Sequence, residues 1–223
     1  MLHQDRFPGE TRAYRAARDE LLTAERDLRR RIEEVAAQRR RLPLGGRVPE
    51  DYVFEDAADG KPVALSALFA GKDTLVLYSY MFSADMPEPC HMCTPFLDGI
   101  EGNAEHIGQR VGLAIVAKSP AARLRELARA RGWRRFRLVS SAENHFNRDY
   151  HGEDAAGEQD SRIHTFVKRP DGIHHFYSSE LNFLPSEPGM NPRHVDLMWS
   201  LWNVLDLTPE GRGADWYPSL TYR

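Results

Sequence analysis

Cysteine is scarce in this chain, because its 223 residues contain only two, Cys90 and Cys93. A disulfide framework of the kind that stabilises small secreted domains needs more cysteines, spaced further apart. That class of protein is therefore excluded. In a reducing compartment, two cysteines this close together are typically catalytic, redox-sensing or metal-binding.

Long apolar runs are also lacking. No stretch approaches the roughly 20 consecutive apolar residues that a membrane span requires, and the charged start at residues 1–18 has no secretory apolar segment. We therefore expect a cytoplasmic protein that does not act at a membrane.

Neither sign of charge is in large excess. The 30 basic and 33 acidic residues give a formal net charge of −3 at pH 7, so no strongly cationic field attracts phosphate backbones or anionic lipids. Nucleic acid is therefore not an expected partner. Hydrophobic residues make up 41% of the chain, which is enough for the core of one elaborated domain.

A helical pattern extends from Thr11 to Arg41. Apolar side chains recur there at spacings of three and four, on one face, at Tyr14, Ala17, Leu21, Ala24, Leu28, Ile32 and Val35. We divide the chain into an N-terminal helical arm, residues 1–41, and one domain, residues 42–223. The narrow apolar stripe of the arm needs a partner, and we expect this to be its own domain or a second copy of the chain in a homodimer.

Strands and helices alternate after the arm. The pattern predicts a short hairpin at 51–54 and 62–65, a strand at 74–80, a helix to about 110, a strand at 112–117, a helix at 120–131 begun by Ser119, a strand at 136–140, a hairpin at 162–168 and 173–177, and a closing helix at 192–205. This order predicts an α/β fold in which helices cover both faces of a mixed central sheet.

The two cysteines lie between the strand at 74–80 and a helix. Thr94 followed by Pro95 is a typical helix start, so we expect the helix to begin between Met92 and Thr94. Both sulfurs then lie over the helix N-terminus, where unpaired amides and the helix dipole favour a thiolate.

The spacing predicts a role for each residue of the pair. Cys90 is the predicted nucleophile, and Cys93 is close enough to resolve a mixed disulfide by intramolecular attack. His91 lies between them and lowers the pKa of the thiol if it is cationic. The sequence therefore favours thiol exchange.

Metal binding is the alternative use of the pair. A tetrahedral zinc site needs two further ligands, for which His164, His174 and His175 are candidates, and the run Cys-His-Met-Cys offers the soft ligands that suit copper(I). Copper or zinc held by Cys90, Cys93 and a nearby histidine, such as His164, is the second hypothesis. A non-catalytic dimeric binding module is the third.

The segment 144–154 is dense in polar and aromatic side chains. Such a segment forms either the wall of a site or a surface loop capped by Asn and Asp side chains. The sequence leaves both interpretations open.

Five motifs carry a resemblance to a known family, at residues 7–10, 48–54, 90–99, 147–152 and 207–213. On these motifs, which span nearly the whole chain, it is identified as a member of the uncharacterised bacterial thioredoxin-like DUF899 family. The resemblance implies a thioredoxin-like fold with an added β-hairpin, and it leaves the function open.

The run from Asp59 to Ser66 resembles the peroxiredoxin branch of that superfamily, which implies Cys90 as a peroxidatic cysteine. Peroxiredoxins typically carry Pro seven residues before that cysteine and Thr or Ser three residues before it. This chain has Ser83 and Pro87 at those positions. The hydroxyl that orients a peroxide is missing or displaced, so we place peroxidase activity below general thiol exchange.

Thioredoxins also carry a cis-proline just before the third central strand, and His164 stands at what looks like that place. The resemblance implies an imidazole that faces Cys90 and either stabilises a thiolate or completes a metal site. Arg162 is a weaker candidate for holding an anionic transition state. We therefore predict a thiol-disulfide oxidoreductase that acts on a protein or small-molecule thiol or disulfide without an organic cofactor.

Overall fold

The computed structural model describes residues 6–180, 188, 198–213, 216 and 218–221. It divides the chain into two compact units, Met1–Pro43 and Leu44–Arg223. This boundary lies two residues after the one drawn from the sequence.

The first unit is built on helix α1, Arg12–Arg40. The Thr11 hydroxyl accepts a hydrogen bond of 3.1 Å from the backbone N–H of Tyr14, which satisfies one of the unpaired amides of the first turn. Arg39 and Arg40 lie in the last turn, where cations complement the helix dipole. The helix lies one residue inside the predicted range at each end, because Thr11 is its N-cap and Arg41 its C-cap.

The second unit contains one seven-stranded sheet. Its strands are β1 Val53–Asp56, β2 Pro62–Ala64, β3 Thr74–Ser79, β4 Gly112–Ala117, β5 Arg137–Ser140, β6 Arg162–Arg169 and β7 Gly172–Ser178. Its helices are α2 Leu65–Leu68, α3 Cys93–Gly108, α4 Ala121–Arg131, α5 Phe146–Asp149 and α6 Ser200–Leu205. The strand order is β2-β1-β5-β4-β3-β6-β7.

The sheet is mixed, as predicted. Strands β3, β4 and β5 are parallel to one another, whereas β6 pairs antiparallel with both β3 and β7. The β1-β2 hairpin extends the sheet beyond β5. Helices α3 and α4 connect parallel strands that step in one direction across the sheet, so right-handed crossovers place both helices on the same face.

Each face of the sheet has its own apolar core, because successive residues of a strand point to opposite sides. On the α3 face, Tyr78 and Ile115 pack with side chains of α3, α4 and α6. On the α5 face, Leu77 and Phe166 pack with side chains of α2 and α5.

The fold is thioredoxin-like, which confirms the prediction from the sequence. A central parallel strand, β3, leads to the dithiol and then to α3, and the antiparallel hairpin β6-β7 completes the sheet on the other side of β3. No helix within the described residues is long and apolar enough to cross a membrane.

Two helix predictions differ from the structure. Ser119 was expected to begin α4, but the N-cap is Pro120, and no side chain caps this helix. Ser119 is fully buried and its carbonyl accepts a 2.7 Å hydrogen bond from the Ser140 hydroxyl, which holds it in the interior. Of the closing helix predicted at 192–205, the structure describes α6, and residues 192–197 lie outside the described residues.

We predict that replacement by alanine has opposite effects on stability at two glycines. A Cβ at Gly112 would lie 2.6 Å from the Leu68 carbonyl oxygen, and backbone cannot move aside as a flexible side chain can. Gly112→Ala should therefore lower the free energy of unfolding by about 1–3 kcal/mol. Gly102 in α3 has open space around its Cβ position, so Gly102→Ala should raise that free energy by roughly 0.5–1 kcal/mol.

Urea denaturation of the two variants and the wild type measures both effects. A Gly112→Ala variant with the wild-type midpoint would contradict the close approach of β4 to the backbone at Leu68.

Candidate active site

After β3 the chain forms a loop whose last residue lies close to the C-terminal end of that strand. The backbone N–H of Tyr80 donates to the Val116 carbonyl over 2.8 Å, which extends the pairing of β3 with β4 by one residue. The N–H of Cys90 donates to the Met81 carbonyl over 3.2 Å. Residues 82–89 form the connection, which we call the 82–89 loop, and they contain no helix or strand.

Helix α3 begins at Cys93, within the limits predicted from the sequence. Its N-cap residue, Met92, supplies no side-chain cap. Thr94 instead lies fully buried in the first turn, where its hydroxyl donates to the Cys90 carbonyl over 2.8 Å and hydrogen-bonds the Tyr80 hydroxyl at 2.7 Å. These contacts hold the backbone of Cys90 against the start of the helix.

The sulfur of Cys90 is half-buried and surrounded by hydrogen-bond donors. The Cys93 backbone N–H donates to it over 3.2 Å. A hydrogen bond from the Cys93 thiol is the largest cause that lowers the pKa of Cys90 to about 6; burial opposes the shift, and the amides of Cys93 and Met92 add to it. The thiolate is therefore the main form of Cys90 at neutral pH.

Cys93 has the opposite character. It is 4% exposed, and this burial is the largest cause that raises its pKa well above the ordinary value, followed by its hydrogen bond to Cys90 and the negative charge there. Hydrogen bonds with the Tyr78 hydroxyl and with the backbone of Met81 act in the lowering direction. Cys93 therefore stays protonated beside a thiolate.

His91 lies in the dithiol run but contributes little to it. Its imidazole is exposed and its Nε2 is 3.2 Å from a carboxylate oxygen of Glu88. Its charge is the smallest of the causes named for the lowered pKa of Cys90. The amides at the start of α3 lower the pKa of Cys90 more than His91 does.

The structure does not bring His164 to Cys90. His164 is the third residue of β6 and stands opposite Leu77, so its side chain lies on the α5 face, in ring contact with Phe146 and Phe166. The dithiol packs on the α3 face. The expectation that this imidazole faces the thiolate is wrong, because the residue just before β6 is Ser161, whose side chain hydrogen-bonds the Tyr78 hydroxyl.

His164 belongs to a separate hydrogen-bonded cluster. Its Nδ1 is 2.7 Å from the hydroxyl of Ser178, which is 2.9 Å from Nε2 of His175, and its own Nε2 is 3.5 Å from the hydroxyl of Ser79. Burial, and secondly the charge of His175, lowers the pKa of His164 to about 3. The imidazole is therefore neutral at physiological pH and acts within a buried polar network.

Arg162 also contacts groups other than the dithiol. Its Nε donates to the His151 carbonyl over 2.9 Å, and its guanidinium lies 3.8 Å from a carboxylate oxygen of Asp160. As the first residue of β6, it alternates with Ile163 and shares the α5 face with His164. These contacts do not support the transition-state role predicted for it.

The predicted metal ligands are not assembled. Within the described part of the chain, no three His, Cys, Asp or Glu side chains are grouped so that they could hold a metal ion. His175 packs against His164 on the α5 face, and His174 lies 3.2 Å from a carboxylate oxygen of Asp171. The copper or zinc hypothesis therefore lacks the histidine ligand, such as His164, on which it depended.

The segment 144–154 forms a wall of the α5 face, on the opposite side of the sheet from the dithiol. Phe146 and Asn147 are buried, whereas His145, Arg148 and His151 are exposed. The Asn144 side chain accepts a 3.0 Å hydrogen bond from the Phe146 N–H, which is the cap expected of a surface loop, so the segment has features of both interpretations. The Asn147 side chain accepts a 2.7 Å hydrogen bond from the Ser141 hydroxyl, and the carboxylate of Asp149 accepts one of 2.6 Å from Tyr52.

Sequence reasoning missed the two tyrosines beside the sulfurs. Tyr78 and Tyr80 are two residues apart, so they point to the same face of the sheet, and that alternation was the available signal. Tyr78 hydrogen-bonds Cys93, and Tyr80 hydrogen-bonds Thr94. Burial raises the pKa of both phenols, which therefore remain neutral.

A family model described as "Bacterial protein of unknown function (DUF899)" matches residues 4–223. The chain belongs to the DUF899 family. No curated protein matches this DUF899 chain.

Solved structures with a similar fold include three proteins at low identity. The peroxidoxin BcpB of Mycobacterium tuberculosis is 22% identical, over 60% of this DUF899 chain and 82% of its own, with a TM-score of 0.44. AhpC of Enterococcus faecalis is 12% identical, over 66% and 83%, with a TM-score of 0.46. A peroxiredoxin-like protein of Aquifex aeolicus is 16% identical, over 62% and 75%, with a TM-score of 0.42.

The separation of the two faces predicts that His164→Ala affects stability without affecting the thiol. The substitution leaves a cavity between Phe146 and Phe166 and removes the partner of a buried hydroxyl, so the free energy of unfolding should fall by about 2–4 kcal/mol. The pH dependence of Cys90 alkylation, followed by mass spectrometry on the folded protein, should not change.

Thr94→Val is the matched comparison, because it removes the hydrogen bond to the Cys90 carbonyl and should alter that pH dependence. A His164→Ala protein with wild-type stability and a changed Cys90 profile would contradict the assignment of these residues to opposite faces.

Proposed function

We propose that this DUF899 protein is a thiol-disulfide oxidoreductase in which Cys90 is the nucleophile and Cys93 the resolving thiol. One observation carries the proposal: the two sulfurs are unequal. Cys90 is half-buried and accepts hydrogen bonds from the start of α3, whereas Cys93 is buried and protonated. An accessible thiolate beside a protected thiol is the arrangement that thiol exchange requires.

The first step is attack of the Cys90 thiolate on one sulfur of a substrate disulfide. A bond forms between Cys90 and that sulfur, the substrate disulfide breaks, and the other substrate sulfur leaves as a thiolate. Cys93 then gives up its proton to the substrate thiolate that has left and attacks the sulfur of Cys90, which releases the second substrate thiolate and leaves a disulfide between Cys90 and Cys93. The substrate gains two electrons and the dithiol loses two.

The first step itself activates Cys93. The hydrogen bond to Cys90 and the charge there are, after burial, the causes that raise the pKa of Cys93. Both are lost when the thiolate becomes part of a mixed disulfide, so the pKa of Cys93 falls at the stage when its thiolate is needed. The hydrogen bonds from Tyr78 and Met81 remain and favour the same ionisation.

External thiols would return the protein to the dithiol form, so the cycle needs no organic cofactor. The substrate would be a protein or small-molecule thiol or disulfide of a reducing cytoplasm. Net charge and hydropathy favour neither nucleic acid nor a membrane as partner, and a second copy of the chain is the partner we propose for the arm.

The residues before Cys90 support thiol exchange over peroxide reduction. The position three residues earlier holds Pro87, which has no hydroxyl to orient a peroxide, and its carbonyl accepts a 3.1 Å hydrogen bond from Arg123. The carbonyl of Ser83 is bound by the same guanidinium.

The test is a redox titration of the purified protein with glutathione, read by mass spectrometry. We expect a reversible disulfide between Cys90 and Cys93 with a reduction potential between roughly −180 and −290 mV. Cys93→Ser should accumulate a mixed disulfide on Cys90 because the resolving thiol is missing. Cys90→Ser is the matched control and should accumulate none on Cys93, which is buried.

A wild-type protein that forms no reversible disulfide would contradict the proposal. Equal trapping by the two serine variants would contradict the assignment of roles.

A further inference from the structure

The 82–89 loop, which delivers Cys90, has little backbone structure of its own. Residues 84 and 85 form a turn, but among the described residues no backbone hydrogen bond joins residues 83–89 to a helix or strand of the domain. The backbone bonds nearest to it are at its ends, from Phe82 to Tyr80 over 2.9 Å and from Cys90 to Met81 over 3.2 Å. Side chains must therefore hold the loop between these points.

One side chain does so with four hydrogen bonds. Nη1 of Arg123 donates to the carbonyls of Ser83 and Ala84 over 2.9 and 3.1 Å. Its Nη2 donates to the carbonyls of Met86 and Pro87 over 2.5 and 3.1 Å. Both terminal nitrogens of the guanidinium are therefore directed into the curve of the loop.

The same guanidinium also packs on the aromatic ring at the start of the loop. Its Cζ lies 4.2 Å from the ring centroid of Phe82, which is within the range of a cation–π contact. Phe82 is 3% exposed, so the ring anchors the stacked group to the core of the α3 face.

Four carbonyl dipoles that converge on one point repel one another unless a cation lies between them. A guanidinium is suited to this role because its donors form a fixed planar fork and its charge is delocalised. Arg123 itself is carried by α4, whose Ala121 and Leu124 are buried in the domain. The loop is therefore tied to a rigid element across the α3 face.

We propose that Arg123 is a positioning residue for the dithiol, which fixes the 82–89 loop so that Cys90 reaches the start of α3. Only two residues, Glu88 and Pro89, lie between the last clamped carbonyl, at Pro87, and Cys90. Release of the loop lets Cys90 withdraw from the Cys93 amide that stabilises its thiolate. The consequence for catalysis rests on the proposed function, whereas the structural role of Arg123 does not.

The test compares Arg123→Ala, Arg123→Lys and Arg129→Ala with the wild type. Arg129 lies on the same helix and is exposed, so its variant controls for the loss of one arginine from α4. The first readout is the pH profile of Cys90 alkylation by iodoacetamide, resolved by mass spectrometry. The second is amide hydrogen exchange of a peptide that contains the 82–89 loop.

Arg123→Ala should move the midpoint of the Cys90 profile upward by one pH unit or more. Alkylation at about pH 5 should then slow by about tenfold or more, because the thiolate fraction falls tenfold for each unit. Exchange should accelerate in the 82–89 loop. Arg123→Lys should give a smaller shift, since an ammonium has three donors for four carbonyls, and Arg129→Ala should match the wild type.

An unshifted midpoint in Arg123→Ala overturns the proposal, even if the loop exchanges faster. If Arg123→Ala loses protection throughout the domain, Arg123→Lys decides: a shifted midpoint with faster exchange only in the loop supports the proposal, and a wild-type midpoint overturns it. The proposed function fails on a different result, the lack of a reversible disulfide in the wild type, which leaves the comparison of loop exchange valid.

Discussion

The chemistry proposed for this protein depends on the hydrogen bonds that the sulfur of Cys90 accepts from Cys93. The amide and the thiol of Cys93 both donate to it, and these donors lower the pKa of the half-buried Cys90 to about 6, although burial opposes the shift. Neighbouring residues hold Cys90 close enough to Cys93 for these hydrogen bonds to form. Thr94 binds the Cys90 carbonyl, and Arg123 holds the loop that precedes it.

The sheet separates two polar environments that lie only one residue apart along the strands. Tyr78 points to the α3 face and reaches Cys93, whereas Leu77, its neighbour in β3, stands opposite His164. Burial disfavours the charged form on both sides. On the α5 face it keeps an imidazole deprotonated, and on the α3 face it keeps Cys93 protonated beside a thiolate.

The sequence predicted the parts of the fold that arise from local periodicity. The arm helix, the central strand, the two hairpins and the start of α3 follow from apolar spacing and turn residues. The face of the sheet on which His164 lies could not be predicted from this periodicity, because a difference of one position along a strand moves a side chain to the other side of the sheet. The role of Arg123 could not be predicted either, since its partners are backbone carbonyls of a distant loop. Every residue has a backbone carbonyl, so residue type does not indicate which ones Arg123 binds.

The most direct measurement is the alkylation rate of each cysteine against pH, resolved by mass spectrometry on the folded, reduced protein. We predict a midpoint at about pH 6 for Cys90, where the thiolate forms, and no reaction of Cys93 until much higher pH. A Cys90 midpoint near the ordinary thiol value of about 8.5, or one shared profile for both cysteines, would contradict the assignment of Cys90 as the stabilised nucleophile.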